Sequence, residues 1–195
     1  LFEKRDLVAS KLKDCIRDKG YTKVSFAAKA DISRPTLDKL LNGNIDNRKI
    51  EYKEAYQILK DGEYGILSMV TTDNSAYGIP FSYVIIDDSV YFHCALEGSK
   101  LDFIKKNNKV SFCVVGKTEV LPSKFSTKYE SAIALGEIYE VNDQNEKKKS
   151  LIELVVKYSP AHMESGEKYI DTALHQVNIL RLDIKELTGK ARKNG

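Results

Sequence analysis

The chain has 195 residues, of which 42% are hydrophobic and 30% are charged, and its formal net charge is +3. This composition excludes general disorder, and the sequence has no apolar run of the ~18 residues that a transmembrane helix needs. The charged start lacks the apolar core of a secretory signal, and the three cysteines are widely spaced. We therefore expect a cytoplasmic protein with free thiols, no metal site and no membrane partner.

The positive charge is concentrated at the N-terminus. Residues 1–50 contain 12 Lys and Arg against 7 Asp and Glu, whereas residues 51–195 contain 19 against 21. A basic segment on an otherwise acidic chain suggests a polyanionic partner for that segment alone. A well-solvated helical surface is the other explanation of the same charge.

Three helices are predicted in the N-terminal segment. The first has one apolar face and ends near Gly20, where a C-cap glycine is expected. Thr22 is a good N-cap for a second helix that runs to Ala30, and Ser33 is a good N-cap for a third. The apolar face of the first helix is formed by Leu7, Val8, Leu12, Cys15 and Ile16.

The stretch 26–37 (FAAKADISRPTL) resembles the helix-turn-helix of the lambda-repressor-like family. In that family the third helix enters the major groove of DNA, so the resemblance implies double-stranded DNA as a partner. Asp31 stands where the family usually has glycine, although Asp also adopts the left-handed conformation. A helical docking module without DNA binding is the alternative. The residues implied to contact DNA are Ser33, Arg34, Thr36 and Lys39.

After a polar linker at 44–49 and a helix near 52–60, the pattern changes to that of strands. Strands are predicted at 65–72, 77–86, 90–95, 110–115, 131–141 and 177–184, with helices at 99–106 and 145–157. Antiparallel strands interrupted by single helices indicate a small β-barrel with helical inserts.

Several stretches in this part, in order, resemble the nitroimidazole-resistance (Nim) branch of the FMN-binding split barrels, which belong to the pyridoxamine 5'-phosphate oxidase-like class. The stretches are 62–68 (GEYGILS), 77–84 (YGIPFSYV), 91–100 (YFHCALEGSK), 120–127 (VLPSKFST), 129–131 (YES) and 187–193 (LTGKARK). The fold class is therefore α+β. The two resemblances imply that residues 1–47 form an all-α helix-turn-helix domain and that residues 48–195 form an antiparallel FMN-binding split β-barrel with helical inserts.

A phosphate site is predicted where the strand at 90–95 leads into the helix at 99–106. Free N–H groups and the dipole at a helix N-terminus attract phosphate, Gly98 allows close approach of the backbone, and Lys100 adds a positive charge. An ordinary strand-to-helix turn with a surface lysine remains the alternative. The resemblance implies FMN as the cofactor, with these further contacts: Pro80, Ser82, Tyr83, Val84, His93, Ala95, Tyr129 and Ser131.

The resemblance further implies a homodimer with two sites at its interface. It also implies reduction of a small acceptor such as a nitro compound by a reduced nicotinamide, NADH or NADPH, with His93 as the catalytic residue. A structural role for His93 is the alternative. Two other functions stay open: a transcription regulator whose barrel senses flavin or a small ligand, and a barrel that binds haem through His93 or His175.

Overall fold

The computed structural model describes residues 2–41 and 49–193. The chain divides into two compact units, Leu1–Asn47 and Arg48–Gly195. The predicted linker at 44–49 lies outside the described residues except for Lys49. None of the described helices is both long and apolar enough to cross a membrane.

The first unit contains three helices: α1 (Phe2–Asp18), α2 (Lys23–Lys29) and α3 (Arg34–Leu41). Thr22 caps α2 as expected, because its side chain accepts a hydrogen bond from the Ser25 backbone while the Ser25 hydroxyl accepts one from the Thr22 backbone. Asp31 has a φ of 52°, so it occupies the left-handed conformation between α2 and α3. The small core that joins the helices consists of Ile16, Ala27, Leu37 and Leu41.

The second unit alternates strands and helices. Its helices are α4 (Tyr52–Asp61), α5 (Ser99–Lys106), α6 (Gln144–Tyr158) and α7 (Met163–Ala173). Its strands are β1 (Tyr64–Val70), β2 (Ala76–Ser82), β3 (Val84–Ile86), β4 (Ser89–Cys94), β5 (Lys109–Leu121), β6 (Ser126–Glu140) and β7 (Asn178–Arg192).

The seven strands form one antiparallel sheet in the order β2-β1-β5-β6-β7-β4-β3. Its two edges, β2 and β3, are consecutive in the chain and are separated by Tyr83 alone. The sheet must therefore curl until its edges meet. Contact between Phe81 on β2 and Phe92 on β4, whose ring centroids are 5.3 Å apart, confirms the curl. The architecture is consistent with the predicted split barrel.

The interior of the curled sheet holds the main core. Phe92 and Phe112 contact edge to face at 5.0 Å, and Tyr83 contacts Phe112 in the same way at 4.8 Å. Helix α4 contributes Ala55, Ile58 and Leu59 to this core. The fully buried aliphatic side chains of the interior include Leu67, Val90, Val114, Leu180 and Leu182.

Helix α6 covers the outer face of β3 and β4, where a second cluster forms. Side chains along β3 alternate, so that Ile85 packs against the main core while Val84 and Ile86 face α6. The other members of the second cluster are Tyr91, Val141, Leu154 and Ile179. Both faces of the sheet are therefore buried at this edge.

Three predictions about the elements were wrong. The single strand predicted at 77–86 is divided at Tyr83, because residues before it pair with β1 and residues after it pair with β4. Strands β5, β6 and β7 are much longer than predicted, since their polar ends pair with one another beyond the core. Helix α7 was not predicted at all.

Candidate functional site

A cavity of about 560 Å³ lies between the outer face of the sheet and the two helices α6 and α7. Ser82, at the end of β2, and His93, on β4, both line it. The structure thus brings together two of the residues that were predicted to contact the cofactor. The remaining lining residues are Leu151, Leu154, Val155, Tyr158, Ser159, Tyr169, Ile170, Ala173 and Val177.

Strand alternation places His93 and Ser82 on the cavity side. Phe92 and Cys94 are buried in the main core, so His93 between them faces outward and is exposed. Ser82 is exposed next to the buried Tyr83 for the same reason. An imidazole and a hydroxyl are the polar groups that the sheet presents here.

The C-terminal end of α6 is hydrogen-bonded to Tyr83. The backbone N–H of Tyr83 donates to the Tyr158 hydroxyl at 2.9 Å, and the Tyr83 carbonyl accepts from Tyr158 at 2.9 Å and from Lys157 Nζ at 3.0 Å. The Tyr83 hydroxyl donates to the Leu59 carbonyl, and the Tyr158 hydroxyl also reaches the Glu63 carbonyl. These contacts connect α4, α6 and both edges of the sheet.

Lys157 is a partly buried cation at this junction. Its ammonium lies 3.9 Å from the centroid of the Tyr83 ring. Burial lowers the Lys157 pKa to about 8, against the opposing effect of the carboxylates of Asp61 and Glu63. Burial likewise raises the Tyr83 pKa far above its usual value, so this hydroxyl stays protonated.

Gly98 and Lys100 lie at the N-terminus of α5, where the phosphate site is predicted. Gly98 precedes α5 with a φ of 138°, a conformation that favours glycine, and a Cβ there would lie 3.2 Å from Lys100 Nζ. The ammonium is thus folded back over the glycine at the helix N-terminus. Burial raises the pKa of the Cys94 thiol, and the Lys100 charge opposes this shift, which places Lys100 near the end of β4. Ala95 lies exposed in the connecting loop.

Tyr129 and Ser131 lie far from this phosphate site within one chain. The loop that contains Leu96 is held at the C-terminal end of β6, because Asn178 Nδ2 donates to both the Leu96 carbonyl and Glu140, each at 3.5 Å. Ser131 lies towards the other end of β6. At the ~3.3 Å rise per residue of a strand, it is roughly 30 Å along the strand from Glu140. Tyr129 lines a separate pocket with residues that include Lys117 and Arg192.

The other predicted flavin contacts are divided between surface and core. Pro80 is exposed on β2 opposite Ile66. Val84 and Tyr83 are buried, and both backbone groups of Tyr83 are already bonded within the chain. The prediction that these residues contact a cofactor remains a prediction.

A polar network that the sequence pattern did not reveal holds α6 against the sheet. Glu146 accepts hydrogen bonds from the Tyr91 hydroxyl at 2.8 Å and from Arg181 at 3.0 Å, and Arg181 also donates to Asp183 at 2.9 Å. Burial and, after it, the hydrogen bond to Glu146 raise the Tyr91 pKa to about 12. Glutamate, arginine and aspartate are ordinary surface residues, so only their meeting in the fold identifies this network.

The residues predicted to contact DNA lie at the start of α3. Ser33, Arg34 and Thr36 are exposed, and the Ser33 and Thr36 hydroxyls hydrogen-bond to each other at 2.8 Å. Lys39 belongs to α3, but its side chain lies outside the described residues. An ion pair between Lys23 and Asp38, at 2.8 Å, connects α2 with α3.

Comparison with known proteins relates the second unit to one family. Residues 51–191 match the family described as Pyridoxamine 5'-phosphate oxidase. No curated protein matches the sequence.

Solved structures share the fold at low identity. A protein from Bacteroides thetaiotaomicron, described as a 5-nitroimidazole antibiotic resistance protein, has 20% identity and a TM-score of 0.64, covering 73% of this chain and 86% of its own. An FAD- and haem-binding protein from Mycobacterium smegmatis has 16% identity and a TM-score of 0.66, covering 76% and 75%. An FAD-binding protein from Mesorhizobium loti has 19% identity and a TM-score of 0.53, covering 75% and 98%.

The lowered pKa of Lys157 predicts a pH dependence of stability. Between about pH 8 and the ordinary lysine value of 10.5, the unfolded chain binds more protons at this residue than the folded chain does. This residue's contribution to the free energy of unfolding therefore rises with pH through that window. Lys157→Met removes the titration, so the wild-type free energy of unfolding should rise with pH relative to the variant, as measured by urea denaturation.

Lys168→Met is the control, because the Lys168 side chain is 74% exposed. It should follow the wild-type pH profile. Identical profiles for wild type and Lys157→Met would show that the Lys157 pKa is not lowered by the fold.

Proposed function

Because the chain belongs to the pyridoxamine 5'-phosphate oxidase family, we propose that residues 48–195 bind FMN and catalyse reduction of a small acceptor such as a nitro compound by NADH or NADPH. The observation that carries the proposal is the glycine and lysine cradle at the N-terminus of α5, next to the strand that bears His93. The flavin-binding proteins that share the fold support it.

The residues at α5 suit a phosphate ester. The first turn of a helix has backbone N–H groups without helical partners, and they attract an anion together with the helix dipole. A Cβ at Gly98 would fill the space beneath Lys100 Nζ, so glycine keeps the cradle open. Glu140 lies at the same end of the sheet, where Lys105, 4.0 Å away, offsets its charge and Asn178 donates a hydrogen bond to it.

The cavity beside His93 suits the reaction. Bound flavin would supply the two-electron chemistry that passes from nicotinamide to acceptor. Reduction of a nitro to a nitroso group consumes two electrons and two protons and releases water; NADH provides a hydride and solvent provides the second proton. The His93 imidazole lines this cavity, and we propose that it relays that proton from solvent to the acceptor.

We further propose that the site is shared between two copies of the chain. Ile133 and Leu135 lie on the same face of β6 as Ser131 and point outward, because Ala132 and Ala134 between them are buried; Ile133 is 37% and Leu135 40% exposed. Across the sheet, Ile66 on β1 continues this apolar row. A second copy seated on the row would place its Ser131 and Tyr129 near sites that they cannot reach within their own chain.

The first unit supports a second candidate function, a transcription regulator that responds to a ligand of the barrel. The exposed Arg34 at the start of α3 and the excess of basic residues in the first 50 support DNA binding. In such a protein the ligand would change the affinity for DNA, and turnover would not be required.

Lys100→Gln should weaken FMN binding about 10- to 100-fold, because the phosphate loses a charged hydrogen bond. Riboflavin has no phosphate, so its affinity should be the same for wild type and variant. Both affinities can be measured from the quenching of flavin fluorescence. Lys106→Gln, in the last turn of the same helix, is the control and should leave FMN affinity within about threefold.

If Lys100→Gln and wild type bound FMN with equal affinity, the proposal that the phosphate binds at the N-terminus of α5 would be wrong. If FAD bound more tightly than FMN, the proposed cofactor would become FAD and the proposed site would stay the same.

Ile133→Lys should break self-association and lower FMN affinity together, since a charge in the apolar row opposes burial against a second copy. Sedimentation velocity gives the mass, and the same variant is titrated with FMN. Val156→Lys on α6, where Val156 is 45% exposed, is the matched control. A monomeric wild-type protein that binds FMN tightly would contradict the shared site.

Arg34→Ala should weaken binding to a duplex selected from random sequence by about 10- to 100-fold, because a bidentate arginine–guanine contact is worth ~1–3 kcal/mol. Fluorescence anisotropy at fixed salt measures the affinity. Lys11→Ala on α1 removes the same charge and should change affinity by less than about threefold. If no duplex were selected from random sequence, the proposal that the first unit binds DNA would be wrong.

A further inference from the structure

The cavity between the sheet and the α6–α7 pair has a lining without charge. Its eleven described lining residues, given above, include no Asp, Glu, Lys or Arg. Three of them are polar at the sheet side or at the end of α6: Ser82, His93 and Ser159. The rest are aliphatic or tyrosine, so the cavity is apolar with a few polar groups at one side.

A charged ligand would lose hydration in this cavity without a counter-charge from the lining. The Lys157 ammonium at the nearby junction is already bonded to the Tyr83 carbonyl. Moving an ionised group into such surroundings is unfavourable unless it is paired. Phosphorylated vitamins and carboxylated aromatics are therefore poor ligands here. A volume of about 560 Å³ lies within the range of ~300–1,000 Å³ that small-molecule sites occupy.

Helix α7 determines how wide this cavity is. A Cβ at Gly166 would lie 2.7 Å from Val155 Cγ1, so glycine lets α7 approach α6 closely. Ile170, one turn after Gly166, and Ala173, two turns after it, are 4% and 8% exposed and close the cavity on the α7 side. Tyr169 lines the cavity but is 71% exposed, which places its ring at the rim.

We propose that α7 makes this cavity selective for an uncharged aromatic molecule, with Tyr169 at its rim, Ala173 at its floor and His93 and Ser82 as its polar contacts. The role of that molecule as the reducible acceptor rests on the proposed function. The binding step does not, because it requires no flavin.

The test compares two probes of similar shape, neutral 4-nitroanisole and anionic 4-nitrobenzoate, by calorimetric titration of flavin-free protein. The neutral probe should bind at least about 10-fold more tightly, since only the anion is desolvated without a partner. Ala173→Phe fills the cavity and should abolish binding of 4-nitroanisole, while Thr172→Phe on the exposed side of α7 should not.

Tyr169→Ala protects the test against a folding defect in Ala173→Phe, because an exposed side chain can be truncated without loss of the fold. It should weaken 4-nitroanisole about three- to tenfold, and Tyr52→Ala, at a residue 56% exposed on α4, should have no effect. Ser159→Lys places a cation at the lining and should raise the affinity for 4-nitrobenzoate at least about 10-fold, which a purely structural role for α7 would not produce.

Equal affinities for the two probes, or no binding of either, would overturn the proposal. Competition between FMN and 4-nitroanisole would also overturn it, because the cavity would then hold the flavin ring. FMN affinity measured on the same preparations separates these outcomes from failure of the flavin proposal, since protein can bind FMN and still reject both probes.

Discussion

Tyr83 is the only residue between the two edge strands of the sheet, and the rest of the second unit depends on how it is held. A sheet whose edges are consecutive in the chain has to curl until the edges meet at that residue. The Tyr83 ring packs in the core against Phe112, its hydroxyl bonds to α4, and its backbone bonds to Lys157 and Tyr158 of α6. The contacts of Tyr83 thus fix both the curl of the sheet and the docking of α4 and α6 against it.

The same junction positions the cavity. Ser82 immediately precedes Tyr83, and Tyr158 bonds to Tyr83 while it also lines the cavity. The sheet edge and α6 therefore cannot move apart without breaking these bonds. These bonds give the cavity a rigid wall, and the cost is the partial burial of the Lys157 charge.

Two surfaces of the second unit differ in what they can bind. The face under α6 and α7 has a cavity whose described lining contains no Asp, Glu, Lys or Arg, which suits a small neutral molecule. The outward face of β1 and β6, around Ile66, Ile133 and Leu135, is open and apolar, which suits a second copy of the chain. Burial of such a row against a flat partner removes apolar area from water and leaves the cavity under α6 and α7 uncovered.

The sequence by itself determined the elements that depend on local physics. Thr22 and the left-handed Asp31 set the ends of α2, alternation along β4 put His93 outside and Phe92 inside, and Gly98 marked the start of α5. Only the tertiary structure decided the rest, because it depends on pairing between distant residues. Alternation runs unbroken from β2 into β3, so nothing local shows that the pairing partner changes at Tyr83. The placement of Tyr158 and α7 over the cavity, and the distance that keeps Ser131 from Lys100, likewise come from how the sheet curls and not from the residues taken one at a time.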